Sequence, residues 1–241
     1  MKQTNERAAT RVARNIVEEI RERALPPGTR LDAEHLMVEK QGVARATVRE
    51  ALHLLEFQGA LRIKAGPGGG PVVNVPDVDH LTSALSLQLQ FANATFRAVL
   101  EARKAIYPVL VAEAAENATH QDIAALRQCL VRYNEAIATT GSAVTEARQF
   151  YELVARASKN LVLGLLLNAL HRMSEPVRVH YDIARWRASL RDVTRILDAI
   201  ERGERDSARE ISIQTTEAAM RYLERNAPET LNELIAWILS E

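Results

Sequence analysis

Two arginines four residues apart, Arg45 and Arg49, with Thr47 between them, carry the most specific chemistry in this sequence. On a helix that spacing puts both guanidinium groups on one face, roughly opposite an apolar stripe of Val48, Leu52 and Leu55. A helix start bearing such side chains can enter the major groove of DNA. There arginine donates two parallel hydrogen bonds to guanine, and threonine bonds bases or phosphates. Arg30, Lys64 and the glycines Gly66, Gly68 and Gly69 are suited to phosphates or the minor groove, because glycine lets backbone amides come close to the duplex. Two arginines on a helix are often no more than solvated charges, so the elements around them decide the matter.

Those elements follow from periodicity. Residues 8–24 repeat apolar side chains at Val12, Ile16 and Ile20, with Ala13, Val17 and Ala24 beside them, which predicts a helix. Leu25-Pro26-Pro27-Gly28 stops it, because proline cannot continue a helix and glycine accepts positive φ. Asp32 is the expected N-cap of a second helix running to Lys40, with Gly42 as the turn residue. A third helix is expected over residues 46–58. After Gly59, residues 60–64 and 71–75 read as short strands joined through the glycine-rich tip as a β-hairpin. Beyond Pro76 the pattern is almost wholly helical, with spans expected at 78–92, 95–117, 119–139, 142–157, 160–181, 184–202, 204–225 and 228–239. Pro108 and Pro176 fall inside two of these and are expected to kink them. The chain therefore reads as mainly α: a winged helix-turn-helix over residues 1–75, then an all-α antiparallel helical bundle over 76–241.

Bulk properties agree with two domains. A length of 241 residues lets each domain bury its own core, and 47% hydrophobic with 26% charged residues is ordinary globular composition. The single cysteine, Cys129, excludes an internal disulfide framework and a cysteine-based zinc site, and fits a reducing cytoplasm. It borders a stripe of Ile123, Leu126, Leu130, Tyr133 and Ile137, and reads as a small hydrophobe at the core edge. The N-terminus is polar and no apolar stretch approaches the ~20 residues needed to span a bilayer, so no membrane contact is expected. The zero net charge hides an asymmetry: residues 1–75 hold 12 Lys/Arg against 9 Asp/Glu, and the rest hold 19 against 22. An excess at the front matters if it converges on one surface.

Residues 25–73, LPPGTRLDAEHLMVEKQGVARATVREALHLLEFQGALRIKAGPGGGPVV, resemble the GntR family of bacterial transcriptional regulators. The matching pieces are the Pro-Gly-x-Arg-Leu turn (Pro27 to Leu31), the run from Gly42 to Leu52, and the glycine-rich wing. The helical remainder, with Leu100-Glu101-Ala102-Arg103 early and Ser158-Lys159-Asn160 midway, resembles the FadR-type effector domain, the FCD domain. Where the family usually has serine to cap the recognition helix this chain has Ala44, which forfeits roughly 1 kcal/mol of capping. The resemblance also implies a divalent metal held in the bundle by one Asp and three His. The matching positions here are Ala147, Tyr151, Val193 and Thr215, a set that argues against a metal, so no metal and no cofactor are expected. The six histidines offer no substitute. His171 and His180 are nine residues apart, about half a turn out of phase on a straight helix.

A metal-free cavity in a bundle is expected to be mainly apolar with a few convergent polar groups. Arg103 can pair bidentately with a carboxylate effector, or it can form an internal salt bridge. Tyr107, Tyr151, His180 and Thr215 are further effector-site candidates, carried partly by the family resemblance. The expected partners are a pseudo-palindromic double-stranded DNA operator, a small-molecule effector (a carboxylate or acyl metabolite) and a second copy of the chain, since one recognition helix covers only a few base pairs. Three other readings are weighed: a metal-dependent regulator with atypical ligands, a helical-bundle enzyme with a DNA-binding appendage, and an architectural DNA-binding protein. The enzyme reading finds no nucleophile motif, no His-x-x-x-His pair and no phosphate loop, since the glycine run precedes a strand. The architectural reading predicts a uniformly basic chain, which this is not.

Overall fold

The computed structural model describes residues 2–66, 69–177, 179 and 181–239, with side chains from residue 7 onward. The chain divides into two compact units, residues 1–80 and 81–241, a boundary five residues beyond the one expected from composition.

In the first unit, α1 (Lys2–Glu22), α2 (Glu34–Gln41) and α3 (Arg45–Phe57) precede β1 (Leu61–Lys64) and β2 (Gly70–Val73). The strands are antiparallel, with Leu61 opposite Val73 and Lys64 opposite Gly70. α1 and α3 meet along one apolar seam: Val12 and Ile16 from α1 pack with Val48, Ala51, Leu52 and Leu55 from α3, closed by Met37 and Leu61. Ala24 has φ 46°, and Leu25 donates back to the Ile20 carbonyl at 3.0 Å, so α1 ends in a left-handed turn before the two prolines. Gly42, at φ 62°, makes the turn between α2 and α3 and donates to the Val38 carbonyl at 3.0 Å. One expectation fails locally. The residue capping α2 is Ala33, not Asp32, and no side chain caps the helix; Asp32 sits 3.9 Å from Lys40 instead. The segment around Arg30 pairs with β2 through an isolated bridge to Val72, and Leu31 donates to the Pro71 carbonyl at 2.9 Å. The hairpin thereby gains a third line of backbone bonds.

The second unit is helical. α4 (Val78–Phe91) begins in the last residues of the first unit and is followed by α5 (Phe96–Asn117), α6 (His120–Thr140), α7 (Val144–Ala157), α8 (Leu161–Arg172), α9 (Ile183–Glu201), α10 (Arg205–Asn226) and the single turn α11 (Pro228–Leu231). α5 is central and packs against α7, α8, α9 and α10. Its buried Tyr107, Leu110, Val111 and Ala114 meet Phe150, Val154, Leu167, Ile196 and Leu197. Pro108 lies within α5. Pro176 does not lie within a helix: α8 stops at Arg172, and residues 173–177 form successive tight turns. A residue before proline is disfavoured in the α region, which keeps a helix from running on through Glu175 into Pro176. The expected last helix is likewise short. After Leu231 the chain runs extended, with Phe96 donating to the Glu233 carbonyl and Ile235 to the Ala94 carbonyl, both at 2.9 Å. Leu231 and Ile235 are both buried at helical spacing, but the backbone between them is bonded to another segment.

Asp122 ties three elements of this unit together. It completes a capping box with Thr119 at the start of α6, and it accepts from Lys159 Nζ at 2.5 Å, with Arg156 Nε 3.6 Å away. Burial opposes its ionisation, but the Lys159 bond and the Thr119 hydroxyl and amide outweigh burial and hold its pKa at about 2. A lowered folded pKa stabilises above the unfolded value near 3.8 and is lost as pH falls toward 2. Asp122→Asn is therefore expected to lower unfolding stability by about 2 kcal/mol at neutral pH. The deficit against wild type should shrink as pH falls from 4 toward 2. Urea melts at several pH values check this, and a pH-independent deficit would contradict it.

Candidate nucleic-acid interface and ligand cavity

α3 buries Thr47, Val48, Ala51, Leu52 and Leu55, and this stripe fixes what it exposes. Arg45 and Arg49 both lie on the exposed face, with Ala46, Glu50 and His53 beside them. Arg45 keeps 75% of its side chain exposed, with only a loose approach to Glu34 at 3.6 Å. Thr47 departs from expectation. It is 3% exposed, because it directly precedes Val48 on the inward face, so it supports α3 and does not stand with the arginines. Ala44 provides no side-chain cap; its carbonyl takes the Thr47 amide at 2.9 Å.

The wing is shaped by two glycines. Gly66 has φ 93°, and Gly69 donates to the Gly66 carbonyl at 2.8 Å. A Cβ on Gly69 would sit 2.2 Å from the Lys64 carbonyl oxygen. Arg30 donates from Nη2 to the Gly69 carbonyl, so its first task is holding the wing, and its remaining N–H groups face solvent. Lys64 stands exposed at the end of β1, opposite Gly70. Gly69, Gly70 and Pro71 border one groove with Arg45, which puts the wing beside the start of α3. Gly68 lies outside the described residues.

The second unit encloses a cavity of about 280 Å³. Its walls are largely apolar and aromatic, with Phe96, Leu167, Trp186, Met220 and Leu223 among them. Arg103, Tyr107 and Tyr151 all line it. Arg103 is enclosed by protein, and the surface it retains faces the cavity. It donates from Nη1 to Ser174 Oγ at 3.2 Å, and its Cζ lies 5.7 Å from the centre of the Tyr151 ring. No carboxylate among the described residues pairs with it, so the internal salt bridge is not formed. Burial pushes its pKa down, but an arginine stays charged.

Tyr151 is the hub of the polar wall. Its ring centre is 4.6 Å from that of Tyr107 and 4.5 Å from that of His171. Periodicity gave no reason to choose His171, because its only visible partner, His180, was out of phase; His180 itself lies outside the described residues. His171 is buried, and its Nε2 has no partner, nor has the Tyr107 hydroxyl. Burial, then the nearby charges of Arg103 and Arg148, holds the imidazole pKa well below its usual value, so it is neutral at pH 7. Thr215 does not line the cavity. It lies one residue, about 100° of helix turn, from the α10 stripe of Thr216, Ala219, Met220 and Leu223 that does. Val193 is buried in the core, away from the cavity. Of the four positions where the family resemblance implies a metal, only Ala147 and Tyr151 reach the wall. Among the described residues, no group of three His, Cys, Asp or Glu is placed to hold an ion. Alanine, tyrosine and a facing guanidinium do not fit a divalent cation.

An exposed arginine pair on the second helix of a helix-turn-helix, a wing beside it, and a separate helical unit around a cavity define a DNA-binding transcriptional regulator. Residues 8–70 match the bacterial regulatory proteins of the gntR family, and residues 98–218 match the FCD domain. The chain belongs to the GntR family and carries an FCD domain. It is 30% identical over 146 residues to the Uxu operon transcriptional regulator of Escherichia coli, covering 57% of this chain and 53% of that one. It is 29% identical over 206 residues to the regulator Mce2R of Mycobacterium tuberculosis, covering 81% and 82%. The match to LutR of Bacillus subtilis is 30% over 146 residues, covering 60% and 65%. The chain thus spans about half to two thirds of several curated relatives. A solved structure, Streptococcus agalactiae GntR, shares the fold, with a TM-score of 0.67 and 20% identity over 88% of this chain and 99% of that one. These relatives are transcriptional regulators and not enzymes. No helix among the described residues is long and apolar enough to cross a membrane.

The wing turn supplies a direct test. Gly69→Ala must displace the Lys64 and Gly66 carbonyls, and is expected to weaken DNA binding about tenfold, or about 1.4 kcal/mol, while the melting of the helical unit stays unchanged. Fluorescence anisotropy on operator DNA reads this, and undiminished affinity would show that the wing makes no contact.

Proposed function

We propose that this regulator binds a pseudo-palindromic operator as a homodimer, in the cytoplasm, and that a small organic anion, a carboxylate or acyl metabolite, controls its affinity from the cavity without a metal. The observation that carries the ligand half is Arg103: a guanidinium enclosed in an apolar wall, with a serine and a tyrosine ring for company and no carboxylate. A buried charge without a counter-ion is costly, and an anionic ligand relieves that cost. The neutral His171 and the Tyr107 hydroxyl stand ready to complete the hydrogen bonding.

Arg45 and Arg49 are the base readers in this proposal, and Lys64 with the amides of Gly66 and Gly69 holds phosphates. Thr47 acts by seating α3. The dimer follows from arithmetic: a single α3 reads a few base pairs, and two-fold symmetry doubles the contacts.

Arg45→Ala and Arg49→Ala should each weaken operator binding by about 1–3 kcal/mol and relax base preference at one position per half-site. A uniform loss over all sequences would reassign them to phosphates, and a monomer in solution that still shifts its operator would sink the dimer. Arg103→Gln should abolish the melting shift given by carboxylates while operator binding without ligand persists. Stoichiometric zinc, nickel or manganese in the purified protein would favour the metal-dependent reading instead.

A further inference from the structure

The cavity holds more positive charge than one anionic group would balance. Among the described residues, Arg103, Lys104, Arg148 and Arg185 line it, against one carboxylate, Glu175. Two of the four are engaged: Lys104 lies 3.1 Å from Glu217, and Arg148 pairs with Glu175, which also meets Arg172 at 3.3 Å. Arg103 and Arg185 have no carboxylate partner among the described residues.

Different elements hold these two guanidinium groups against different rings. Arg103 comes from α5 and approaches Tyr151. Arg185 comes from the first turn of α9, with its Cζ 5.9 Å from the Tyr181 ring centre and 5.2 Å from that of Tyr222. A cation held over aromatic rings is stabilised without using up its N–H donors. In keeping with that, Arg185 Nε is buried and has no hydrogen-bond partner. Arg185 also borders a second groove with Asp182, Arg221 and Arg225. The lining the two arginines share is apolar and aromatic, with Leu100, Leu167, Tyr181, Trp186 and Met220.

We propose that the ligand is a dicarboxylate with an apolar body, one carboxylate on Arg103 and the other on Arg185. This rests on the reading of the cavity as an anion site and adds the second anchor. A monocarboxylate fills the Arg103 position and leaves Arg185 uncompensated. A diacid of suitable length engages both forks, each bidentately.

Titration calorimetry on the full chain tests this with matched pairs: succinate to suberate against the corresponding monoacids, and terephthalate against benzoate. At least one diacid should bind about tenfold or more tighter than its monoacid, and Arg185→Gln should bring the pair within about twofold. Arg103→Gln should lose both. Equal affinity of monoacids and diacids for the wild type, or a preference surviving in Arg185→Gln, would overturn the second anchor and leave the anion site standing. Absence of binding by every acid would overturn both readings. The wild-type comparison decides the question even if Arg185→Gln fails to fold.

Discussion

The buried guanidinium of Arg103 is the constraint around which the helical unit is organised. A charge placed among apolar side chains loses part of its hydration, and one hydroxyl and one aromatic face return only some of it. α5, which carries Arg103, packs against four other helices, and this fixes where along the cavity wall the side chain begins. Nearby carboxylates are occupied elsewhere: Glu175 meets Arg148 and Arg172, and Glu217 meets Lys104. The result is a guanidinium at the cavity wall with no carboxylate partner among the described residues. The tyrosines around it fit the same logic, because burial raises the pKa of Tyr107 and of Tyr151 and keeps both phenols neutral donors beside the cation. Here a side chain supplies the positive charge.

The DNA-binding unit obeys a different rule. Its α3 contributes one wall to a small core, and five buried positions out of thirteen determine which way Arg45 and Arg49 point. No polar contact is needed to aim them. Arg30 serves the same end in the wing, where its bond to the Gly69 carbonyl steadies a loop that glycine alone would leave soft.

Much of this was legible in the sequence, for identifiable reasons. Helix positions followed from 3.6-residue periodicity, and most ends fell within two residues of the turn signals at Gly42, Gly141 and Asn160. The hairpin followed from glycine and proline between two apolar runs. Three features were hidden. Thr47 is polar in type like the arginines that flank it, and its burial follows from its place beside Val48 on the face of α3 that meets the core. The C-terminal residues after Leu231 keep helical spacing while their backbone bonds to residues 94–96, a long-range pairing that no local pattern encodes. The cavity was half visible. Arg103, Tyr107 and Tyr151 sit where family-like segments placed them, but His171 and Arg185 converge on the cavity from α8 and α9, and only tertiary packing brings those helices together. Thr215 misses it by a single residue of register.

The lone thiol of Cys129 has a practical consequence. It is fully buried, its Sγ lies 3.4 Å from the Glu146 carbonyl, and burial pushes its pKa to about 11. Nucleophilic attack requires the thiolate, so the folded bundle shields this thiol twice, by access and by protonation. The rate at which an alkylating reagent modifies this chain is therefore a clock for excursions that separate α6 from α7. A molecule that tightens the bundle slows that clock whether or not its identity is known.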